Sequence, residues 1–155
     1  MKDPYAPLYR QAKKELTQLL TQVLMTPALR KKAGVKLKKI GQVNLGLEVN
    51  FLTTLQMKRL NFKYRKKNRP TDVLSFPSPE FFKKEGHLGE ILICVDIMKK
   101  QAKETGHPVS RELKVLLGHG VLHLLGFDHE AGPKEAKLMA KWEKVLLGQS
   151  GLIER

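Results

Sequence analysis

The chain has 155 residues, of which 41% are hydrophobic, enough for one folded domain with a proper core and too few for two comfortable ones. A single cysteine, Cys94, excludes an internal disulfide and fits a reducing compartment. No run reaches the ~18 apolar residues of a membrane span, and residues 1–20 mix Lys, Glu, Gln and Leu unlike a signal peptide, so the cytoplasm is the expected location. The net charge of +14 is unevenly placed: residues 1–70 hold 17 Lys+Arg and 3 Asp+Glu, whereas residues 71–155 hold 12 of each. That bias points to a polyanionic partner, most commonly nucleic acid, and away from a membrane surface, since no basic amphipathic helix stands out.

Leu8 to Met25 reads as a first helix, with Ala12, Leu16, Leu19, Leu20, Val23 and Leu24 at helical spacing and Thr26-Pro27 ending it. Residues 28–41 are basic and turn-like. Val43, Leu45, Leu47 and Val49 alternate with polar or small residues and predict a strand with one buried face. Thr53 or Thr54 can cap a second helix to about Lys66. Thr71 to Phe76 is a short strand stopped by Pro77 and Pro79, and residues 78–87 form a polar loop. Leu88 to Val95 is the strongest strand signal. Asp96 is the expected cap of a helix to Thr105, with Gly106 and Pro108 ending it. Ser110 is the expected cap of a long buried helix over 111–125, and Pro133 opens a last helix to Leu147 with Gly148 beyond. The fold class is α+β: a small mixed sheet of about four strands packed among about five helices.

The chemistry concentrates in His119-Gly-Val-Leu-His123-Leu-Leu-Gly126-Phe-Asp128-His129, where three of five histidines fall within eleven residues. His119 and His123 share one helix face, roughly 6 Å apart along the axis. Gly126 suits the left-handed turn past the helix end, which can bring His129 under the other two. Three neutral imidazoles suit a divalent transition metal, zinc above all, at one ion per chain. A fourth position left open is the arrangement of a catalytic site. The spacing also fits the zincin-like metal helix of the metzincin proteases, but those need Glu after the first His as general base, and this chain has Gly120.

Several residues keep two readings. Gly118 reads as close packing against a strand, whereas Gly120 packs in the same way or leaves room for substrate. Asp128 either orients a ligand imidazole or bonds its own backbone in a turn. Glu90 either faces solvent at a sheet edge or faces the metal cleft. Arg65 is either one more solvated cation or a bidentate phosphate clamp beside the metal. His87 and His107 read as loop and turn residues.

His119-Gly-x-Leu-His123-Leu-x-Gly126-Phe-Asp128-His129 resembles the signature of the YbeY endoribonucleases. Leu60-Asn61-x-x-Tyr64-Arg65, the run Pro70-Thr71-Asp72-Val73-Leu74-Ser75-Phe76-Pro77, and Leu88-Gly89-Glu90-Ile91-x-Ile93-Cys94 resemble further family motifs in the same order. Gly118 departs from the branched residue usual before the first histidine, and Phe127 replaces a common Tyr. The resemblance implies a bacterial, single-strand-specific, zinc-dependent endoribonuclease. It also implies action on ribosomal RNA, in 3′-end maturation and quality control of the small ribosomal subunit. It makes His119, His123 and His129 the zinc ligands and Arg65 a functional arginine, with no DNA or membrane partner. The rivals are a zinc metallopeptidase and a non-catalytic ribosome-assembly factor with structural zinc.

Overall fold

The computed structural model describes residues 2–35 and 44–148. Among these, seven helices surround a three-stranded sheet, one strand fewer than expected and two helices more. The first helix, α1 (Ala6–Met25), is followed directly by α2 (Pro27–Lys32). Pro27 therefore ends one helix and opens another, because a proline at the first helical position gives up only an N–H that has no intrahelical partner anyway. Residue 43 and the basic residues 36–41 lie outside the described residues. The strand expected over 43–49 sits further along, as β1 (Gly46–Leu52).

Helix α3 (Thr54–Arg65) starts at a full capping box: Thr53 Oγ1 accepts from Gln56 N–H, and Gln56 Oε1 accepts from Thr53 N–H. Strand β2 (Val73–Pro77) begins two residues later than expected, since the Asp72 carboxylate takes the Val73 N–H at 2.8 Å. The polar loop carries a five-residue helix, α4 (Glu80–Lys84), with Glu80 in its first turn and Lys83 and Lys84 in its last, each matched to the helix dipole. It is too short to show periodicity. Strand β3 (His87–Cys94) leads straight into α5 (Val95–Thr105). Asp96 is therefore not the cap; it lies in the first turn and accepts from Thr54 Oγ1 at 3.0 Å. Likewise Pro108, in extended backbone, precedes α6 (Val109–Leu124), and Ser110 falls inside its first turn. Helix α7 (Pro133–Leu147) has the expected bounds.

Strand β3 is central, parallel to β1 and antiparallel to β2. Side chains alternate across a strand. Ile91 and Ile93 accordingly pack on the face covered by α1 and α6, and Leu92 and Cys94 pack with Met57 of α3 on the other. Glu90 falls on the α3 side, away from the histidine helix, and accepts from Asn50 Nδ2 at 3.1 Å. It lies neither on an edge strand nor in the metal cleft, so both earlier readings of Glu90 are corrected. Helix α6 is apolar nearly all round because it lies in the main core, with Leu113, Leu116, Leu117, Val121, Leu122 and Leu124 buried. No helix of the described residues is long and apolar enough to cross a membrane.

The two helix glycines pack against different neighbours. A Cβ on Gly118 would meet the Leu147 side chain of α7 at 2.8 Å, so this glycine packs against a helix rather than a strand. A Cβ on Gly120 would meet three side-chain atoms of Ile91 within 2.7–3.2 Å. Gly120 thus admits β3 to the helix and makes no room for substrate.

Candidate metal centre

Helix α6 carries the first two imidazoles one turn apart, with His123 Nε2 3.0 Å from His119 Nε2. The helix then ends in a Schellman motif: Gly126 N–H donates to His123 O at 3.0 Å and Phe127 N–H to Leu122 O at 3.1 Å. Gly126 has φ +99°, backbone that only glycine adopts without strain. Phe127 is buried and anchors the turn. Asp128 then accepts from Glu130 N–H at 2.9 Å, so it is the turn residue of the two readings. Together these contacts return His129 to the other histidines. One nitrogen of each of the three rings lies within 4.8 Å of the others.

The donors fit a transition metal. Two ligands of one tetrahedral ion, each at ~2.0–2.1 Å, stand roughly 3.3 Å apart, close to the His119–His123 spacing. Glu143 of α7 lies 2.8 Å from His119 Nδ1. A carboxylate there accepts a hydrogen bond from Nδ1–H and leaves the Nε2 lone pair free for a metal. The pKa of His123 is lowered to about 4 by burial first and then by His119 and His129, against the opposing pull of Asp128 and a hydrogen bond that the ring donates to the Phe127 backbone. His123 is therefore neutral, the ligating form, throughout the physiological range.

The histidines line a cleft of about 820 Å³ between α6, α7 and β2, together with Arg65, Asp128 and Glu143. Arg65 stands at the end of α3 and reaches Glu130, beside His129, at 3.5 Å. One turn earlier, buried Asn61 donates from Nδ2 to Arg69 O at 2.7 Å and ties the following loop to the helix. Lys66, left-handed at φ 58°, begins that loop. All four expected site residues thus share one cleft. His87 does not: it contacts Ser78 at 2.8 Å and is exposed. His107 sits in the turn before α6 but is largely buried, 2.9 Å from Glu112.

The comparisons agree with the resemblance carried by the sequence motifs. The family model described as "Endoribonuclease YbeY" matches residues 8–151. The chain belongs to the YbeY family. A YbeY relative from Aquifex aeolicus (strain VF5) is 38% identical over 140 residues, 90% of this chain and 93% of that one. A second, from Bdellovibrio bacteriovorus, is 39% identical over 125 residues, covering 81% and 78% of the two chains. A third, from Myxococcus xanthus (strain DK1622), is 43% identical over 110 residues, which are 69% of this chain and 37% of that longer one. All three are named Endoribonuclease YbeY.

Glu143 is the site residue that sequence reasoning missed. It lies 24 positions from His119 in a helix rich in Lys and Glu, and nothing local separates it from a solvated charge. Only the packing of α7 on α6 brings it to the imidazole.

Proposed function

We propose that this chain is a metal-dependent endoribonuclease, one domain over residues 1–155, that cleaves single-stranded RNA in the cytoplasm. In this reading His119, His123 and His129 hold one zinc per chain in a zincin-like arrangement, and the substrate is ribosomal RNA. The physiological roles are 3′-end maturation of small-subunit RNA and quality control of the small ribosomal subunit. The observation that carries the reading is the meeting of three imidazoles and an arginine in one cleft of a strongly basic chain.

A bound zinc ion supplies Lewis acidity toward a phosphodiester. The protein's own groups do the rest. Arg65 offers a planar two-donor fork to the phosphate and stabilises charge that grows there as the bond breaks. The Glu130 carboxylate, 3.5 Å from that guanidinium, orients it at the cleft. Glu143 fixes the ring of His119. The run Lys63, Lys66, Lys67 and Arg69 flanks Arg65 and suits the RNA backbone.

The peptidase rival is weakened because residue 120, where that chemistry needs its base, faces Ile91 in the core. The test is incubation of purified protein with single-stranded RNA and with casein, each with and without chelator. Chelator-sensitive cleavage of RNA alone is expected. Cleavage of casein would favour the peptidase, and no cleavage of either would favour an assembly factor with structural zinc.

A further inference from the structure

Strand β2 has β3 on one side, and its other side is a wall of the histidine cleft. In an antiparallel pair, successive residues turn their N–H and C=O alternately toward the partner and away. Cys94 N–H donates to Asp72 O at 2.9 Å and Ser78 N–H to Leu88 O at 3.0 Å, so the even-numbered residues bond β3. The backbone groups of Val73, Ser75 and Pro77 therefore point the other way, and all three residues line the cleft. Val73 N–H is taken by Asp72 Oδ1 at 2.8 Å, and Pro77 has no N–H. Within β2, Ser75 is left as the residue that offers the cleft both a donor and an acceptor.

We infer that the Ser75 N–H and C=O form a subsite for the Watson–Crick edge of one unpaired nucleobase. This deepens the RNA reading above and rests on it. Every nucleobase presents a neighbouring donor and acceptor on that edge, and in a duplex the opposite base occupies them. A backbone donor–acceptor pair thus selects for a free edge rather than for one base, which is a physical route to single-strand preference. The occupant is a nucleic acid rather than a peptide strand because of charge. Lys63, Arg65, Lys66, Lys67 and Arg69 lie just before the strand in a chain of net charge +14. Phosphates held along that run leave the adjoining base free to turn toward Ser75.

The test uses metal-free protein, so that binding is read without cleavage. The probes are a fluorescent ten-nucleotide oligouridine and the same oligomer made from N3-methyluridine, which keeps every phosphate and the single-stranded state but blocks the Watson–Crick edge. Wild-type protein is expected to bind the methylated oligomer at least about fivefold more weakly, the lower range for loss of a paired base contact. Ser75→Pro removes the open N–H at a position where proline leaves the β3 pairing intact, as Pro77 already does. It removes the donor to a uracil carbonyl and sets the proline ring where that edge would lie, so the difference should shrink, whereas Ser75→Ala should keep it. Equal wild-type affinities for the two oligomers overturn the subsite, as does a preference of undiminished size in folded Ser75→Pro. Loss of the preference in Ser75→Ala transfers the role to the hydroxyl and overturns the backbone reading. Circular dichroism checks that each variant is folded; if Ser75→Pro is not, the wild-type comparison decides alone. Cleavage of unmodified oligouridine by metal-loaded protein, combined with equal binding, sinks the subsite and leaves the nuclease reading standing. Failure to cleave any RNA sinks the nuclease reading.

Discussion

Arg65 separates an enzyme from a binding protein. If its fork meets charge that grows during reaction, Arg65→Ala should slow single-turnover cleavage of a single-stranded RNA roughly a hundredfold, about 3 kcal/mol in the barrier. Binding, measured separately, should change far less, and Lys should restore only part of the rate. Equal losses in rate and binding would make Arg65 an ordinary backbone contact. Glu143 acts through His119, 2.8 Å away. Glu143→Ala should weaken metal affinity about 10–100-fold in a competition with a chromophoric chelator; unchanged affinity would reduce it to a surface carboxylate. His123 sets a pH dependence in the metal-free protein. Its folded value, lowered to about 4, lies below the unfolded ~6.5, so the unfolded chain binds more protons between those values. Stability is then full above ~6.5 and falls as pH drops toward 4. His123→Leu should flatten that limb of a plot of melting temperature against pH, and an unaltered limb would show that another group titrates there.

At the level of elements, the two glycines of α6 make opposite demands. Alanine favours a helix over glycine by ~1 kcal/mol. At 118 the added methyl meets the flexible end of Leu147, which can yield. At 120 it meets Ile91, wholly buried in the central strand. Gly120→Ala should therefore lose about 1–2 kcal/mol by denaturant unfolding, since overpacking costs typically 1–3, and Gly118→Ala should be near neutral. Similar losses at both sites would mean that α6 tolerates no added volume anywhere. The elements were also where sequence reasoning was most and least informative. Periodicity located α1, a threonine cap α3, an all-round apolar run α6, and Pro133 with Gly148 located α7, and the left-handed Gly126 was legible because a glycine after an apolar helix has few other uses. Glu90 was not, since a charge in an apolar run says nothing about which face it takes until the strand order is known. Caps were misplaced for a related reason: Asp96 and Ser110 are good cap residues, but β3 runs into α5 without a break, and Pro108 already supplies an extended start.

Across the whole molecule, charge and site are divided along the chain. Apart from Arg65, the cleft is built from residues beyond 70, which are net neutral, while residues 1–70 carry the entire excess. The three histidines were legible because their ligand spacing is local. Their carboxylate partner was not, because it is joined to them only by the packing of α7. If the basic half holds the RNA, reversing Lys31, Lys32, Lys38 and Lys39 to Glu should flatten the plot of log affinity against log salt. An unchanged slope would put the RNA path elsewhere on the surface.

The order of the sheet also bears on how the chain can come together. Its middle strand is the last of the three to be synthesised, and β1 and β2 each pair with β3 rather than with each other. A nascent chain that ends before His87 has both outer strands and nothing to join them. Once β3 emerges, Pro77 meets Gly89 across a short connection, whereas Val49 must find Ile91 across a stretch more than three times longer. Closing the longer loop costs more chain entropy, so β2 and β3 form the cheaper pair and β1 is added to a hairpin already made. The wall of the cleft that holds Ser75 is thereby available before the sheet is complete.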